Sequence, residues 1–123
     1  MKENIDEIAF ASAARTATVT SENLLNANGR EIDIVLDATA ASATPSIVLT
    51  IDYLDRASGK YVNLLTGAAV TGISTNRYRV HPNLTASANS IAQAQLPRTF
   101  RIVVTHADAD SITYSVGYRI GVN

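Results

Sequence analysis

The chain reads as an all-β protein: an antiparallel β-sandwich of immunoglobulin-like or jelly-roll type, with about seven or eight strands and an N-terminal arm or short helix. Three observations predict this. Short runs in which apolar and polar residues alternate recur from Ala14 to Ile120, turn-forming residues separate them, and the abundant β-branched residues leave no helix pattern of normal length.

The elements follow in order. Residues 1–13 stand apart from a sandwich domain over 14–123: they are acidic, Asn4 and Glu7 have capping-box spacing, and Ile5, Ile8 and Ala9 share a face at helical spacing. A helix that short does not stand alone, so the segment is expected to act as an arm docked on another subunit or as a plug on its own domain. Ala14 to Ser21 reads as an edge-like strand, and Asn26-Ala-Asn-Gly29 as a turn. Ile32, Ile34, Leu36 and Ala38 alternate with Asp33, Val35, Asp37 and Thr39, which predicts a strand with one buried face. Ile47, Leu49, Ile51 and Tyr53 repeat the pattern, and Asp55 to Gly59 joins this strand to a partner over Lys60 to Thr66. Asn76 to His81 resumes the alternation until Pro82, which has no amide proton for a ladder. Residues 83–95 lack a clear period and read as an ordered crossing connection or a binding loop. The clearest pattern comes last: in LPRTFRIVVTHADADSITYSVGYRI, Phe100, Ile102, Val104 and His106 share one face, and Ile112, Tyr114, Val116, Tyr118 and Ile120 another. This predicts a scaffold hairpin around an acidic turn.

At 123 residues, with 46% hydrophobic residues, no Trp and many Ala, the chain supplies one modest core built from Ile, Val and Leu. Such a domain gains stability from association. A net charge of −1 and no Lys/Arg cluster argue against direct nucleic-acid binding. Arg77 and Arg79, flanking Tyr78, read as solvated strand charges. Cys is absent, which fits a reducing compartment and removes disulfides and thiolate metal sites. MKENIDEIAF lacks the pattern of a secretory signal, and no apolar run has membrane-spanning length, so a cytoplasmic origin and no membrane partner are expected.

No constellation for catalysis or cofactor binding emerges, and no enzyme activity or cofactor is expected. His106, Asp108 and Asp110 alternate at the predicted hairpin tip but supply too few ligands for zinc or calcium and read as turn residues. His81 and His106 are the two histidines and have no recognisable nucleophile, while Asp33 and Asp37 read as a solvated outer face. Tyr53, Tyr61 and Tyr78 keep open a sugar-stacking surface.

The segments SGKYVNLL (58–65) and LPRTFRIVVTHADADSITYSVG (96–117) resemble those of small structural proteins of tailed-bacteriophage virions, most of all capsid decoration, or cement, proteins. The resemblance covers roughly residues 14–120 and contains no site-defining motif. It implies a non-enzymatic protein on the capsid surface, made in the bacterial cytoplasm, that bridges neighbouring major capsid proteins and self-associates, with a trimer favoured. The alternatives are a tail, connector or fibre-associated virion protein, or a carbohydrate- or host-surface-binding β-sandwich module. Apolar residues on otherwise polar segments are the expected partner contacts: Ile5, Ile8 and Phe10 in the arm, with Leu84 and Ile91 in the long loop. On this reading, removal of residues 1–12 leaves the sandwich folded.

Overall fold

Inner-facing aliphatic side chains set the architecture. The computed structural model describes residues 4–122. Its strands are β1 (Ile5–Arg15), β2 (Val19–Thr20), β3 (Leu24–Leu25), β4 (Glu31–Ala41), β5 (Ile47–Asp55), β6 (Lys60–Thr66), β7 (Ser74–Val80), β8 (Ile91–Ala92), β9 (Thr99–His106) and β10 (Ile112–Gly121). One sheet runs β1-β10-β4-β7-β8 and the other β2-β9-β5-β6, with β3 also on β9. The pairings are antiparallel except for the short parallel contact of β7 with β8.

Every second residue of the long central strands points inward. Ile32, Ile34, Leu36 and Ala38 of β4 and Ile112, Tyr114, Val116, Tyr118 and Ile120 of β10 line one wall. Ile47, Leu49 and Ile51 of β5 and Phe100, Ile102 and Val104 of β9 line the other. These are the residues that the alternation predicts. Each fully buried aliphatic contributes about 1.5–3 kcal/mol relative to exposure. Leu65, Val70 and Leu96 complete the core from less regular segments. Gly67 makes room for Tyr78, since a Cβ there would lie 2.5 Å from the tyrosine Cε1. The β5–β6 hairpin forms as expected: the Asp55 carboxylate accepts the Ser58 hydroxyl at 2.7 Å, and Gly59 takes φ +73°.

Three expectations are corrected. Residues 5–15 form an edge strand on β10, with Ile5 opposite Ile120 and Phe10 opposite Val116, and the described chain contains no helix. A single helical turn has a costly nucleus, whereas pairing satisfies the otherwise open edge of β10. Asn4 accepts the Val122 amide at 3.3 Å instead of capping a helix. β1 crosses residue 13 without a break. Removing residues 1–12 would therefore take away the pairing of Ile5 to Phe10 with Ile120 to Val116 along one edge of β10, so the deletion does not isolate an arm.

The final pair is not a hairpin: β9 and β10 belong to opposite sheets. Both have one inward face, so their alternation is the same whether they pair directly or face each other across the core. The link between them runs beside a second sheet crossing, from β4 to β5. The Ala107 amide donates to Ser46 at 3.0 Å, the Ser42 amide to Ser111 at 2.9 Å, and the Thr44 amide to the Asp110 carboxylate at 3.1 Å. Finally, the predicted strand over Ala14 to Ser21 is divided. After β1 ends, β2 and β3 share the outer edge of β9, joined by Ser21, whose amide donates to Ile102 and whose hydroxyl accepts from it, both at 2.9 Å.

The inward and outward faces should respond differently to substitution. Leu36→Ala is expected to cost about 2–5 kcal/mol in urea unfolding. Val35→Thr, on the outer face beside it, should change stability by about 0.5 kcal/mol or less.

Candidate functional site

The five apolar residues expected at a partner interface separate into two groups at opposite edges of one sheet. Ile5, Ile8 and Phe10 lie on β1, while Ile91 lies in β8 and Leu84 in the connection before it. Only the first group presents a prominent apolar side chain. Ile8 is 72% exposed and Ile5 37%. Phe10 turns inward against the core, because the register of β1 on β10 shifts on both sides of it. Arg15 then closes over this end of the sandwich: its guanidinium lies 5.8 Å from the Phe10 ring and 4.7 Å from the Tyr114 ring, and donates to the Ala11 and Tyr114 carbonyls. Leu84 and Ile91 are half-buried.

On the outer face, Ile8 sits opposite Gly117, and Gly117 opposite Val35. The missing side chain leaves a notch of about 330 Å³ bordered by Asp6, Asp33, Val35 and Arg119. Asp33 organises the charge there, accepting Arg77 Nε at 3.0 Å and Arg119 Nη2 at 3.4 Å. Arg77 is thus engaged in its own sheet, and Asp37 accepts the Thr75 hydroxyl at 2.8 Å. These carboxylates hold cross-strand pairs, as the solvated-face reading expects.

The three tyrosines do not form a shared surface. Tyr78 is buried in one sheet, whereas Tyr61, in the other, lies 3.6 Å beneath the Arg101 guanidinium and donates to Asn23 at 2.6 Å. Tyr53 packs against the core. The acidic connection after β9 likewise consumes its own ligands: Asp108 accepts the Asp110 amide at 3.0 Å, and Asp110 accepts from Thr44. Among the described residues, no group of three His, Cys, Asp or Glu is placed to hold a metal ion. His106 lies 2.9 Å from the Tyr114 hydroxyl. Burial, aided by the Arg15 charge, lowers its proton affinity against the opposing pull of Asp108.

A second surface, absent from the sequence reading, lies at the end of the sandwich remote from the two sheet crossings. Its frame is Asn26, a polar side chain only 7% exposed. The Asn26 amide group donates to the Gly29 carbonyl at 2.8 Å and the Leu96 carbonyl at 3.1 Å, and its oxygen accepts the Gly29 amide at 2.6 Å. Backbone bonds from Asn26 to Arg98, Leu96 to Arg30 and Arg30 to Gly121 lock three separate segments together. Gly29 has no space for a side chain, since a Cβ would lie 2.1 Å from Ile120 Cγ2. The result is an open groove of about 490 Å³ with Asn28, Arg30, Gln95 and Arg98 on its walls and Leu96 and Val122 beside them. The turn signal Asn26 to Gly29 is visible in the sequence, but nothing local links it to Arg98.

Comparisons with known proteins place the fold alone. No family model matches the chain, and no curated protein matches it. Among solved structures it is similar to a chain of infectious bursal disease virus, Gx strain, with TM-score 0.54 and 12% identity over 96% of this chain and 32% of that one. It is similar to the SPBc2 prophage-derived protein YomS, with TM-score 0.53 and 11% identity over 96% of this chain and 92% of that one. It also resembles modules of Clostridium thermocellum endo-1,4-beta-D-xylanase 10B complexed with xylohexaose, with TM-score 0.53 and 10% identity over 98% of this chain and 26% of that one. The chain spans about a third of the viral chain and a quarter of the xylanase chain. These neighbours agree on a β-sandwich and differ in what they do.

Two measurements test this geometry. Asn26→Ala orphans the Gly29 amide and should cost about 1–3 kcal/mol in denaturant unfolding. His106 binds its proton less readily folded than unfolded. Its contribution to stability is therefore complete above the ordinary imidazole value of 6.5 and is lost as pH falls through the lower folded value. Urea midpoints measured from about pH 8 down to about pH 5 should fall less steeply in His106→Gln than in the parent.

Proposed function

We propose that this chain is a non-enzymatic structural protein of a tailed-bacteriophage particle, one that decorates the capsid surface and bridges neighbouring copies of the major capsid protein. The observation that carries this reading is Ile8, an aliphatic side chain 72% exposed on a long edge strand, beside the Gly117 notch. An exposed isoleucine on a sheet edge is an aggregation liability unless a partner covers it. Support also comes from the likeness of segments 58–65 and 96–117 to decoration proteins, and from a sandwich that matches nearly the whole length of a prophage-derived protein.

The mechanism is linkage. A bridge that binds the assembled lattice more tightly than separate subunits stabilises the shell by mass action, and copies joined as a trimer multiply this through avidity. Ile8 supplies apolar area at the contact, and Asp33, shared by Arg77 and Arg119, borders it with charge partly paired within the chain. The half-buried Leu84 and Ile91, at the far edge of the same sheet, form the second contact that a bridge requires.

The test is occupancy on particles stripped of this protein and recharged with the purified chain. Ile8→Ser removes exposed area, so folding stability should stay within about 0.5 kcal/mol. Co-sedimentation with capsids should weaken by about tenfold, as expected for an isoleucine buried on binding. Equal occupancy by parent and variant would count against the β1 edge, and sedimentation with tails instead of shells would overturn the capsid assignment. Light scattering should give about three times the 13.1 kDa chain mass if the trimer forms.

A further inference from the structure

We propose that the groove between the Asn26–Arg30 loop and the Gln95–Arg98 segment is a carboxylate-binding site that receives an acidic segment of a protein partner. This deepens the structural role above by naming the chemistry of a further contact, distinct from Ile8 and from Leu84 and Ile91, and it rests on that reading.

Arg77 and Arg119 share Asp33, Arg101 pairs with Asp52, and Arg15 is spent on carbonyls and aromatic rings. Arg30, Arg56, Arg79 and Arg98 have no such partner among the described residues, and of these only Arg30 and Arg98 share one groove. Both are exposed. Their backbones are nevertheless fixed: the Arg30 amide donates to Gly121 at 2.8 Å, its carbonyl accepts Leu96 at 3.1 Å, and the Arg98 carbonyl accepts Asn26 at 2.7 Å. A buried asparagine and a glycine with no room for a Cβ hold the loop in this shape. Two arginines on a rigid frame thus line one open space. Because the frame is already ordered, a ligand bears little of the ordering cost.

The form of the ligand follows from the surroundings. A guanidinium presents a planar fork that matches a carboxylate with two parallel hydrogen bonds. Asn28 and Gln95 add neutral donors and acceptors on the same walls. Inorganic phosphate offers similar oxygens, but a nucleic-acid backbone is a poor fit. Glu31 directly follows Arg30, a separate hollow nearby is lined by Asp6, Glu31 and Asp33 against the single cation Arg119, and the chain carries net charge −1. A long polyanion would meet these carboxylates on leaving the groove, whereas a short acidic segment ends within it.

The experiment is an amide NMR titration of the full chain with hexaglutamate, with hexaglutamine and inorganic phosphate as separate arms. Hexaglutamate is expected to move the Gly29, Arg30 and Arg98 resonances, hexaglutamine to leave them in place, and added salt to weaken the effect. Arg30→Gln combined with Arg98→Gln should weaken binding about tenfold with an unchanged unfolding midpoint, because both side chains are exposed. Arg30→Lys with Arg98→Lys should fall between the two, retaining charge without the fork. Absence of shifts, shifts elsewhere, equal binding by the glutamine variant, or a response to phosphate without one to hexaglutamate would each overturn the site. Capsid occupancy separates the two proposals: a parent chain that binds particles but not hexaglutamate removes the groove and leaves the decoration role, while one that binds hexaglutamate but not particles does the reverse.

Discussion

The structure depends on the contact between two inner faces, β4 and β10 against β5 and β9. Those strands supply most of the fully buried side chains, nearly all aliphatic, with Phe100 and Tyr114 as the largest. With few aromatic residues and no Trp, the interior gains its stability from many small, interdigitated contributions. This requires the central strands to keep their inward faces aligned, because a slip of one residue in β4 exchanges Ile32 and Leu36 for Asp33 and Asp37. The paired crossings near Ser42–Ser46 and Ala107–Ser111 secure that alignment at one end, and the Asn26 frame secures it at the other.

The edges are handled less uniformly. The outer edge of β9 is covered by two short strands and a serine hydroxyl that replaces a ladder partner. At β1, two register shifts and the Arg15 side chain roughen the strand and keep Phe10 within the sandwich. Such irregularities discourage uncontrolled strand pairing. Ile8 remains exposed ahead of them, opposite Gly117 and its notch, which is why the proposed partner contact falls on the β1 edge.

Charge is distributed with a similar division. Asp33 engages Arg77 and Arg119, Asp52 engages Arg101, and Glu31 meets His81, so much of the charge on the sheet faces is held within the chain. The groove at the end retains two guanidinium groups on an ordered frame. The proposed apolar attachment at an edge and the proposed carboxylate binding at an end are compatible in one small domain because the sandwich separates the two surfaces physically.

Much of the architecture was legible from period alone. The inward sets of β4, β5, β9 and β10, the β5–β6 hairpin and the all-β class follow from side chains alternating at every second position, a local property of an extended backbone. Ile8 was legible as an apolar residue on a polar segment, although its strand was not, since Asn4, Ile5, Glu7 and Ile8 also satisfy the spacing of a short helix. Tertiary structure decided what local patterns leave degenerate. It placed β9 and β10 in opposite sheets, because a buried face looks the same from either wall. It recruited β1 as a strand, because the open edge of β10 needed hydrogen-bond partners. It also brought Arg30 and Arg98 to one groove, because Asn26 bonds across segments that are far apart along the chain. The sequence by itself determined which side chains face inward; long-range pairing alone determined which surfaces they hold together.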